Sequence, residues 1–398
     1  MAGSDREAGV LTRPFLAVLA LTLIGFLFEQ VLRPVVPLVV IDRGGGVVLV
    51  GAVAAVHALP SILFRPIIGR LIDSWNNALV LRLGAVLGAA APLGLLLPGL
   101  VPLVPSRFAQ GAGWALYSVS THSLMALRSP AHRRGEASGY FMAMPALALL
   151  IGPSIGISLY LSTGTVGPAL VATGLGLVAT VIAVRMRLTR PTSRSVAPAP
   201  TRLIERLIEP SALTSTAMIA AFMLPQPLFM VFAPVYAVEV GTPLEWLAVY
   251  FPFYGLVLFG AQLAAGRASD RYGRHAAIVA GCSVAVAGLV VALAGSSFVS
   301  FAVGAALYAV GVSLVSPTMS ALTIDRAPRN RLGAAMATYS VGYQLSSGMG
   351  SLLWGAILGA GGFGTAFIVA IASQLATLAM SAGGAARRGA RSGAGTFD

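Results

Sequence analysis

The sequence predicts an all-α membrane protein with twelve transmembrane helices, arranged as two six-helix repeats. Of its 398 residues, 57% are hydrophobic and 10% are charged, whereas soluble domains have about 25% charged residues. Apolar stretches of roughly 20 residues, enough to cross a bilayer core of about 30 Å, follow one another along the chain. Short motifs also occur twice, about 197 positions apart. The composition indicates a membrane protein, the apolar stretches indicate transmembrane helices, and the repeated motifs indicate an internal duplication.

The apolar stretches set the order of the spans. Only one long polar stretch, "MRLTRPTSRSVAPAPTRLIERLIEP", separates any two of them. We therefore expect a six-helix bundle at 1–187, a cytoplasmic linker at 188–210, and a second bundle with a short cytoplasmic tail at 211–398. The predicted spans are 14–40, 47–68, 78–97, 100–127, 137–161, 166–186, 211–238, 246–265, 276–295, 298–323, 333–358 and 363–382.

The two halves match each other at a nearly constant offset. Asp73 corresponds to Asp270, and Arg128 corresponds to Arg326. Parallel repeats of this kind are typical of transporters whose binding site lies between the halves, near the bilayer midplane.

The basic residues predict the orientation of the chain. All 26 are arginine. With the N-terminus in the cytoplasm, all of them fall on the inner side except Arg43, in an outer loop, and Arg33 and Arg107, inside spans. The excess of positive charge on one side therefore places both termini in the cytoplasm. Because the arginines lie between apolar spans, without an aromatic and basic platform, no nucleic acid is expected as a partner.

One charged loop follows the eighth span and has a partial copy after the second. The stretch "GRASDRYGRH" begins at Gly266, and "GRLIDSWNNA" begins at Gly69. The first resembles the loop motif of the major facilitator superfamily, whose fold would cover the whole chain. In that family the acid and the arginines form a conformational latch at the cytoplasmic face. The resemblance gives this role to Arg65, Gly69, Arg70, Asp73, Gly266, Asp270, Arg271, Gly273 and Arg274; the alternative is that these charges only set topology.

Two spans carry further resemblances to that family. "RFAQGAGWA" begins at Arg107 in the fourth span, and "GYFMAMPALALLIGPSIG" begins at Gly139 in the fifth. The second is similar to the antiporter signature, with Gly139, Gly152, Pro153 and Gly156 in place and alanine at one glycine position. In the family this signature accompanies export coupled to inward proton flow. Close helix packing through small residues is the alternative explanation.

A carboxylate in the first span is the candidate proton carrier. Glu29 is the only acid deep inside any predicted span, and Arg33 follows at i+4 on the same helical face. A buried carboxylate can exchange a proton near neutral pH. Arg107 and His57 complete the proton-coupling candidates, with His57 as the reserve carrier. A static pair of Glu29 with Arg33 or Arg107, or a contact with substrate, stays open.

The family resemblance also implies which side chains line a central cavity. Aromatic and methionine side chains with few polar groups suit a partly apolar organic molecule. The candidate lining residues are Phe26, Gln30, Gln110, Trp114, Met142, Gln226, Met230, Tyr250, Tyr254, Tyr308, Tyr339, Tyr343 and Gln344.

These patterns favour one function over two others. We expect a monomeric secondary transporter of a bacterial inner membrane, exporting drugs or small organic metabolites in exchange for protons by alternating access. An uptake symporter or facilitator for a sugar or organic anion is the alternative, and an enzyme or receptor on the same fold is less favoured. Because the sequence has no phosphate-binding loop and no Cys/His cluster, it predicts no metal site, cofactor or direct use of ATP.

Overall fold

The computed structural model describes residues 11–74, 77–128, 134–186, 209–328 and 332–393, and every regular element in these ranges is helical. The first six spans begin with α1, which covers Arg13–Leu32 and continues as Val35–Asp42. The others are α2 (Val47–Leu63, continuing as Arg65–Ser74), α3 (Asn77–Ala90, followed by a 3-10 turn at Ala91–Leu96), α4 (Leu103–Arg128), α5 (Arg134–Thr163) and α6 (Val166–Arg185).

The second half repeats this pattern. The seventh span, α7, follows a 3-10 turn at Pro210–Ala212 and consists of Leu213–Met223, Gln226–Met230 and Ala233–Glu239. It is followed by α8 (Trp246–Tyr272), α9 (Arg274–Ala294) and α10 (Phe298–Arg326). The last two, α11 and α12, are the parts of Leu332–Gly393 before and after Gly362, whose φ of 67° interrupts the helix. The twelve predicted helices are confirmed.

The apolar character of these helices matches a membrane protein. Within the described ranges, eight helices are long and apolar enough to cross a bilayer, and one of them, Thr338–Ser381, contains parts of both α11 and α12. Val47–Leu63 and Trp246–Gln262 are shorter apolar helices. The remaining span, α4, is more polar because it carries Arg107, Gln110 and several hydroxyl side chains.

The chain forms two compact units. Unit 1 comprises Met1–Ala197 and Pro243–Gly255, and unit 2 comprises Pro198–Thr242 and Leu256–Asp398. The first part of α8 is therefore grouped with α1 to α6. In unit 1, for example, the Ser154 hydroxyl on α5 donates a hydrogen bond to the Ala248 carbonyl at 2.6 Å. The division at 188–210 that the sequence suggests stays a prediction.

Proline interrupts α7, which the sequence predicted as one continuous span. Pro225 and Pro227 have no N–H, so the helix ends at Met223 and resumes at Gln226. Backbone groups freed inside a membrane need partners from neighbouring helices. The Phe222 carbonyl accepts hydrogen bonds from the Tyr308 hydroxyl at 3.0 Å and the Gln374 amide at 2.9 Å. The Leu224 carbonyl accepts one from the Trp354 indole at 2.6 Å.

The two charged residues that close α1 hold one end of unit 1. Asp42 accepts a hydrogen bond from the Tyr160 hydroxyl at the end of α5. Arg43 donates from Nη1 to the Gly99 carbonyl at 2.7 Å and from Nη2 to the Leu95 carbonyl. Arg43, which the sequence predicts in an outer loop, therefore ties α1 to the turn after α3.

Candidate functional site: a buried polar cluster in unit 1

Glu29 lies in the last turn of the first part of α1 and is buried. Its exposed fraction is 7%, and α1 packs against α4, α5 and α6 within unit 1. A carboxylate inside a span is costly unless it has polar partners. The partners come from α2 and α4.

His57 on α2 is the nearest ionisable partner of Glu29. Its Nε2 lies 3.2 Å from Glu29 Oε2 and 3.4 Å from Oε1. A neutral imidazole with its proton on Nε2 donates a hydrogen bond to this carboxylate, and a protonated imidazole forms an ion pair with it. The sequence made His57 only the reserve proton carrier after Glu29, and the structure brings it into direct contact with Glu29.

Gln110 on α4 links Glu29 to Arg107. The Gln110 Nε2 amide donates to Glu29 Oε1 at 3.4 Å, and its Oε1 accepts from Arg107 Nη1. Arg107 and Gln110 are both buried, with exposed fractions of 8% and 1%. The result is a continuous series of hydrogen-bonded side chains that runs from His57 through Glu29 and Gln110 to Arg107. This series is called the Glu29 chain below. The role of Gln110 as a bridge was not predicted, because the sequence assigned it only to the cavity wall.

The direct pair of Glu29 with Arg33 or Arg107, which the sequence left open as an alternative, is not present in the described part of the molecule. There, neither Arg33 nor Arg107 has a side-chain nitrogen within 4.0 Å of the Glu29 carboxylate. Arg33 falls at the break between the two parts of α1 and is partly exposed. Of the two, only Arg107 is therefore linked to Glu29, through an amide that carries no charge.

Two buried polar atoms, one in the Glu29 chain and one in the residue that follows Glu29, have no hydrogen-bond partner among the described residues. They are Arg107 Nε and Gln30 Oε1. Gln30 is 6% exposed and follows Glu29 on α1. An unsatisfied buried donor or acceptor costs about 1 to 3 kcal/mol, so these atoms are suited to bind water or a polar group of a ligand.

Glycines bring the backbones around the Glu29 chain unusually close. A Cβ at Gly156 on α5 would lie 2.0 Å from the Val31 carbonyl oxygen, and one at Gly152 would lie 2.6 Å from Gln30 Cβ. On α4, a Cβ at Gly111 would lie 1.9 Å from the His57 carbonyl oxygen. Gly152 and Gly156, which lie in the stretch that resembles the antiporter signature, therefore contact α1 within two residues of Glu29.

The other predicted cavity residues divide between the units. In unit 1, Phe26 and Trp114 make an edge-to-face contact at 4.7 Å, and Tyr250 and Tyr254 are buried. The Met142 side chain lies outside the described residues.

In unit 2, the predicted cavity residues split between structural and polar contacts. The Gln226 amide donates to the Tyr343 hydroxyl at 3.3 Å. Met230 is buried and Gln344 is partly exposed. Tyr308 and Tyr339 donate to the carbonyls of Phe222 and Ser316, so both stabilise helix contacts.

The latch prediction is only partly visible. For several of the predicted residues only the helical backbone is described, and their side chains and surroundings lie outside the described part of the molecule. They are Gly69, Arg70, Asp73, Gly266, Asp270 and Arg271 of the predicted latch, and Gly139 of the fifth span. Gly273 has a φ of 87° and is the N-cap of α9, a conformation that favours glycine. Arg274 Nε lies 3.3 Å from Asp325 Oδ2 within unit 2. Arg65 and Pro153 are described, in α2 and α5.

The structure has twelve spans in two units, and the Glu29 chain is buried inside unit 1. These features are those of a polytopic membrane transporter. The chain matches the model of the Major Facilitator Superfamily over residues 18–290 and 251–383. It belongs to that family.

The similar proteins differ in how much of the chain they cover. An MFS-type transporter of Burkholderia pseudomallei (strain 1106a) is 27% identical over 401 residues, covering 95% of this chain and 93% of that protein. The staphylopine export protein of Staphylococcus aureus (strain Mu50 / ATCC 700699) is 27% identical over 152 residues, 38% of each protein. The crystal structure of a D-xylose-proton symporter matches with a TM-score of 0.76 at 16% identity, covering 92% of this chain and 96% of that one.

Proposed function

We propose that this protein is a proton-coupled exporter of drugs or small organic metabolites that works by alternating access in a bacterial inner membrane, with both termini in the cytoplasm. The observation that carries the proposal is the Glu29 chain. It joins one buried carboxylate to one imidazole at 3.2 Å and, through an amide, to one buried guanidinium. These are the groups an exchanger needs to take up a proton from one side and release it to the other.

The proposed cycle uses the charge of Glu29 as the switch. When Glu29 is ionised, it accepts hydrogen bonds from His57 and Gln110, and the charge of Arg107 is compensated through the amide. A proton arriving from the outer side neutralises Glu29 and weakens its attraction to a protonated His57. The change alters the packing of α1 against α2 and α4, and therefore favours the return of the substrate-free, protonated carrier, from which Glu29 releases the proton to the cytoplasm.

The direction of transport rests on two further observations. Gly152 and Gly156, which belong to the resemblance with the antiporter signature, contact α1 beside Glu29. One similar protein is a staphylopine export protein, although the match spans only 38% of each chain. Both favour export over uptake.

An uptake symporter or facilitator for an organic anion or sugar is the second candidate. Arg107 Nε on α4 is a buried donor without a partner among the described residues, and Arg33 at the break in α1 supplies a second guanidinium. A carboxylate substrate would complete the bonding of such a guanidinium. The similarity to a D-xylose-proton symporter is also compatible with uptake.

Everted membrane vesicles acidified inside test the proposal. An exporter should accumulate at least one compound from a panel containing ethidium, benzoate and labelled D-xylose, and dissipating the pH gradient should stop the accumulation. Vesicles with Glu29→Gln, matched for the amount of inserted protein, should lose uphill accumulation and keep downhill exchange. Gln226 occupies the corresponding place in the second half, so an amide there is compatible with this fold. Undiminished uphill transport by Glu29→Gln would refute the role of Glu29, and uptake into right-side-out vesicles alone would support the second candidate.

A further inference from the structure

Tyr117 on α4 makes a second polar contact between α4 and α1, about two turns from the Glu29 chain. Its hydroxyl donates a hydrogen bond to the Leu21 carbonyl on α1 at 2.6 Å, and its side chain is buried. Leu21 precedes Glu29 by eight residues, and Tyr117 follows Gln110 by seven. At about 1.5 Å per residue, these separations are roughly 12 Å and 10 Å along the two helix axes. Hydrogen bonds therefore hold the seam between α1 and α4 at both of these heights.

The Tyr117 ring lies directly against the backbone of α1. A Cβ at Gly25, one turn after Leu21, would lie 2.3 Å from Tyr117 Cε1 and 2.8 Å from Cδ1. On the side of α3, a Cβ at Gly84 would lie 2.7 Å from the Tyr117 backbone nitrogen. Because α4 is in such close contact with α3 at this point, a change in the position of the ring moves α1 rather than α4.

An apolar cavity inside unit 1 borders Tyr117. Its volume is about 20 Å³, enough for one water molecule or one methyl group, and an apolar site of this kind stays dry. Residues of α1, α3, α4 and α6 line it, among them Ile24, Gly25, Phe28, Trp114 and Tyr117. Packing around Tyr117 is therefore incomplete, and the hydrogen bond to Leu21 fixes where the side chain lies.

The groups that act on Glu29 come from three helices. Among the described residues, the charged or titratable ones are His57 of α2, Arg107 of α4 and Arg33 of α1. The helices α5 and α6 also pack against α1, and within the described ranges they add no charged group to this set. Gln110 supplies a neutral donor at 3.4 Å. That distance is near the upper limit for a hydrogen bond, so a small shift of α1 against α4 is enough to break it.

We propose that Tyr117 is a positioning residue for proton exchange at Glu29, and that its bond to Leu21 is the pivot that keeps α1 where Gln110 reaches the carboxylate. When the charge of Glu29 changes, the contact at Gln110 loosens, the contact at Tyr117 holds, and α1 turns about that point. The cavity beside Tyr117 gives the neighbouring side chains room to follow. This inference rests on the proposed role of Glu29 as the proton carrier and is independent of the substrate and of the direction of transport.

Thermal unfolding of the purified full-length protein in dodecylmaltoside, followed from acid to alkaline pH, tests this role without a known substrate. A group that titrates differently in the folded and unfolded states makes stability depend on pH. Each variant is measured with and without Glu29→Gln, and the difference isolates the pH dependence that belongs to Glu29. Tyr117→Phe is the test variant. Tyr160→Phe is the matched control, because it removes a tyrosine hydroxyl bound to Asp42 in the second part of α1, beyond the break at Arg33.

We expect Tyr117→Phe to move the midpoint of the Glu29-dependent part by about 0.4 to 1 pH unit, the equivalent of one weakened hydrogen bond. The shift should have the same direction as that of Gln110→Met, which removes the bond itself. In combination with Gln110→Met, Tyr117→Phe should add no further shift, because both act through the same amide. Tyr160→Phe should leave the Glu29-dependent part unchanged. A purely structural role of Tyr117 would lower stability at every pH without moving this part.

Gly25→Ala covers the case in which Tyr117→Phe does not fold. Its Cβ would meet the Tyr117 ring at 2.3 Å, so it displaces the same contact from the side of α1 and should give a comparable shift. The higher helix propensity of alanine offsets part of the cost of overpacking.

Four results would overturn the proposal. They are the absence of any Glu29-dependent part, an unmoved midpoint in Tyr117→Phe or Gly25→Ala, equal shifts from the Tyr117 and Tyr160 variants, and additive shifts from Tyr117→Phe and Gln110→Met. The proposed function is tested separately by transport. Undiminished uphill flux from Glu29→Gln would refute that function and would not alter the outcome measured here.

Discussion

Replacing Gly156 with alanine tests whether the close contact between α5 and α1 controls the Glu29 chain. A Cβ at this position would lie 2.0 Å from the Val31 carbonyl oxygen, whereas ordinary van der Waals contact begins at 3.4 Å. The obstacle is backbone, so α5 must withdraw from α1 by more than 1 Å locally, and overpacking of this kind costs about 1 to 3 kcal/mol. The gain in helix propensity from glycine to alanine, about 1 kcal/mol, offsets part of that cost. The variant should therefore still insert and fold.

The expected loss is in coupled transport. Val31 lies two residues after Glu29, whose bonds to His57 and Gln110 are 3.2 to 3.4 Å long. A shift of about 1 Å is enough to break them, and misplacement on this scale lowers enzyme rates about 100-fold. We expect proton-driven flux in proteoliposomes to fall at least tenfold for Gly156→Ala, with less effect on passive exchange.

A graded series makes the test specific. Gly152→Ala should have an intermediate effect, because its Cβ would lie 2.6 Å from Gln30 Cβ, a smaller overlap than at Gly156, although Gln30 Cβ is fixed by the backbone and cannot rotate away. Gly174→Ala on α6 is the matched control, since no atom lies within 4 Å of its added Cβ. Wild-type flux from Gly156→Ala, or an equal loss from Gly174→Ala, would refute the reasoning.

Three further predictions concern the polar side chains within the two units. Gln110→Met should lower the free energy of unfolding by about 1 to 3 kcal/mol, because it leaves Arg107 Nη1 and one oxygen of Glu29 without the bridging amide; chemical or thermal unfolding in detergent measures this, and an unchanged midpoint would contradict it. His57→Gln keeps a hydrogen-bond donor but no longer titrates, so downhill exchange should persist while the pH profile of proton-driven flux changes shape; an identical profile would exclude His57 from proton transfer. Trp354→Phe removes the donor to the Leu224 carbonyl and should cost about 1 to 3 kcal/mol of stability, with normal coupling in the molecules that fold; a loss of coupling without a loss of stability would show that this contact has a different role.

Much of the fold follows from local sequence, and the contacts of the site follow only in part. The twelve spans could be predicted because each is an apolar stretch of bilayer length, and the buried Glu29 could be found because an acid in such a stretch is rare. Because Arg33 follows Glu29 at i+4 on the same helical face, the sequence left open a static ion pair along α1. The structure instead joins Glu29 to α2 and α4, because the rotation of each helix about its axis decides which side chains meet, and one sequence does not determine that rotation.

The missed features share the same physical reason. Nothing near Pro225 indicates that Trp354 and Gln374, 130 and 152 residues from their acceptors, supply hydrogen bonds to the interrupted α7. The prolines themselves were a visible signal for a break, since each removes a backbone donor. A search for polar or indole side chains in later spans would have produced candidate hydrogen-bond donors for α7. It could not have paired those donors with particular carbonyls.

The interruption of α7 has a consequence for the biogenesis of the protein. Synthesis proceeds from the N-terminus, so α7 is made before the three side chains that bond to its free carbonyls. Tyr308 follows Phe222 by 86 residues, and Gln374 follows it by 152. Until α10, α11 and α12 are inserted in turn, α7 therefore depends on water or on the insertion machinery for the corresponding hydrogen bonds. The hydrogen bonds to the interrupted α7 are therefore complete only when the last span, α12, has been inserted.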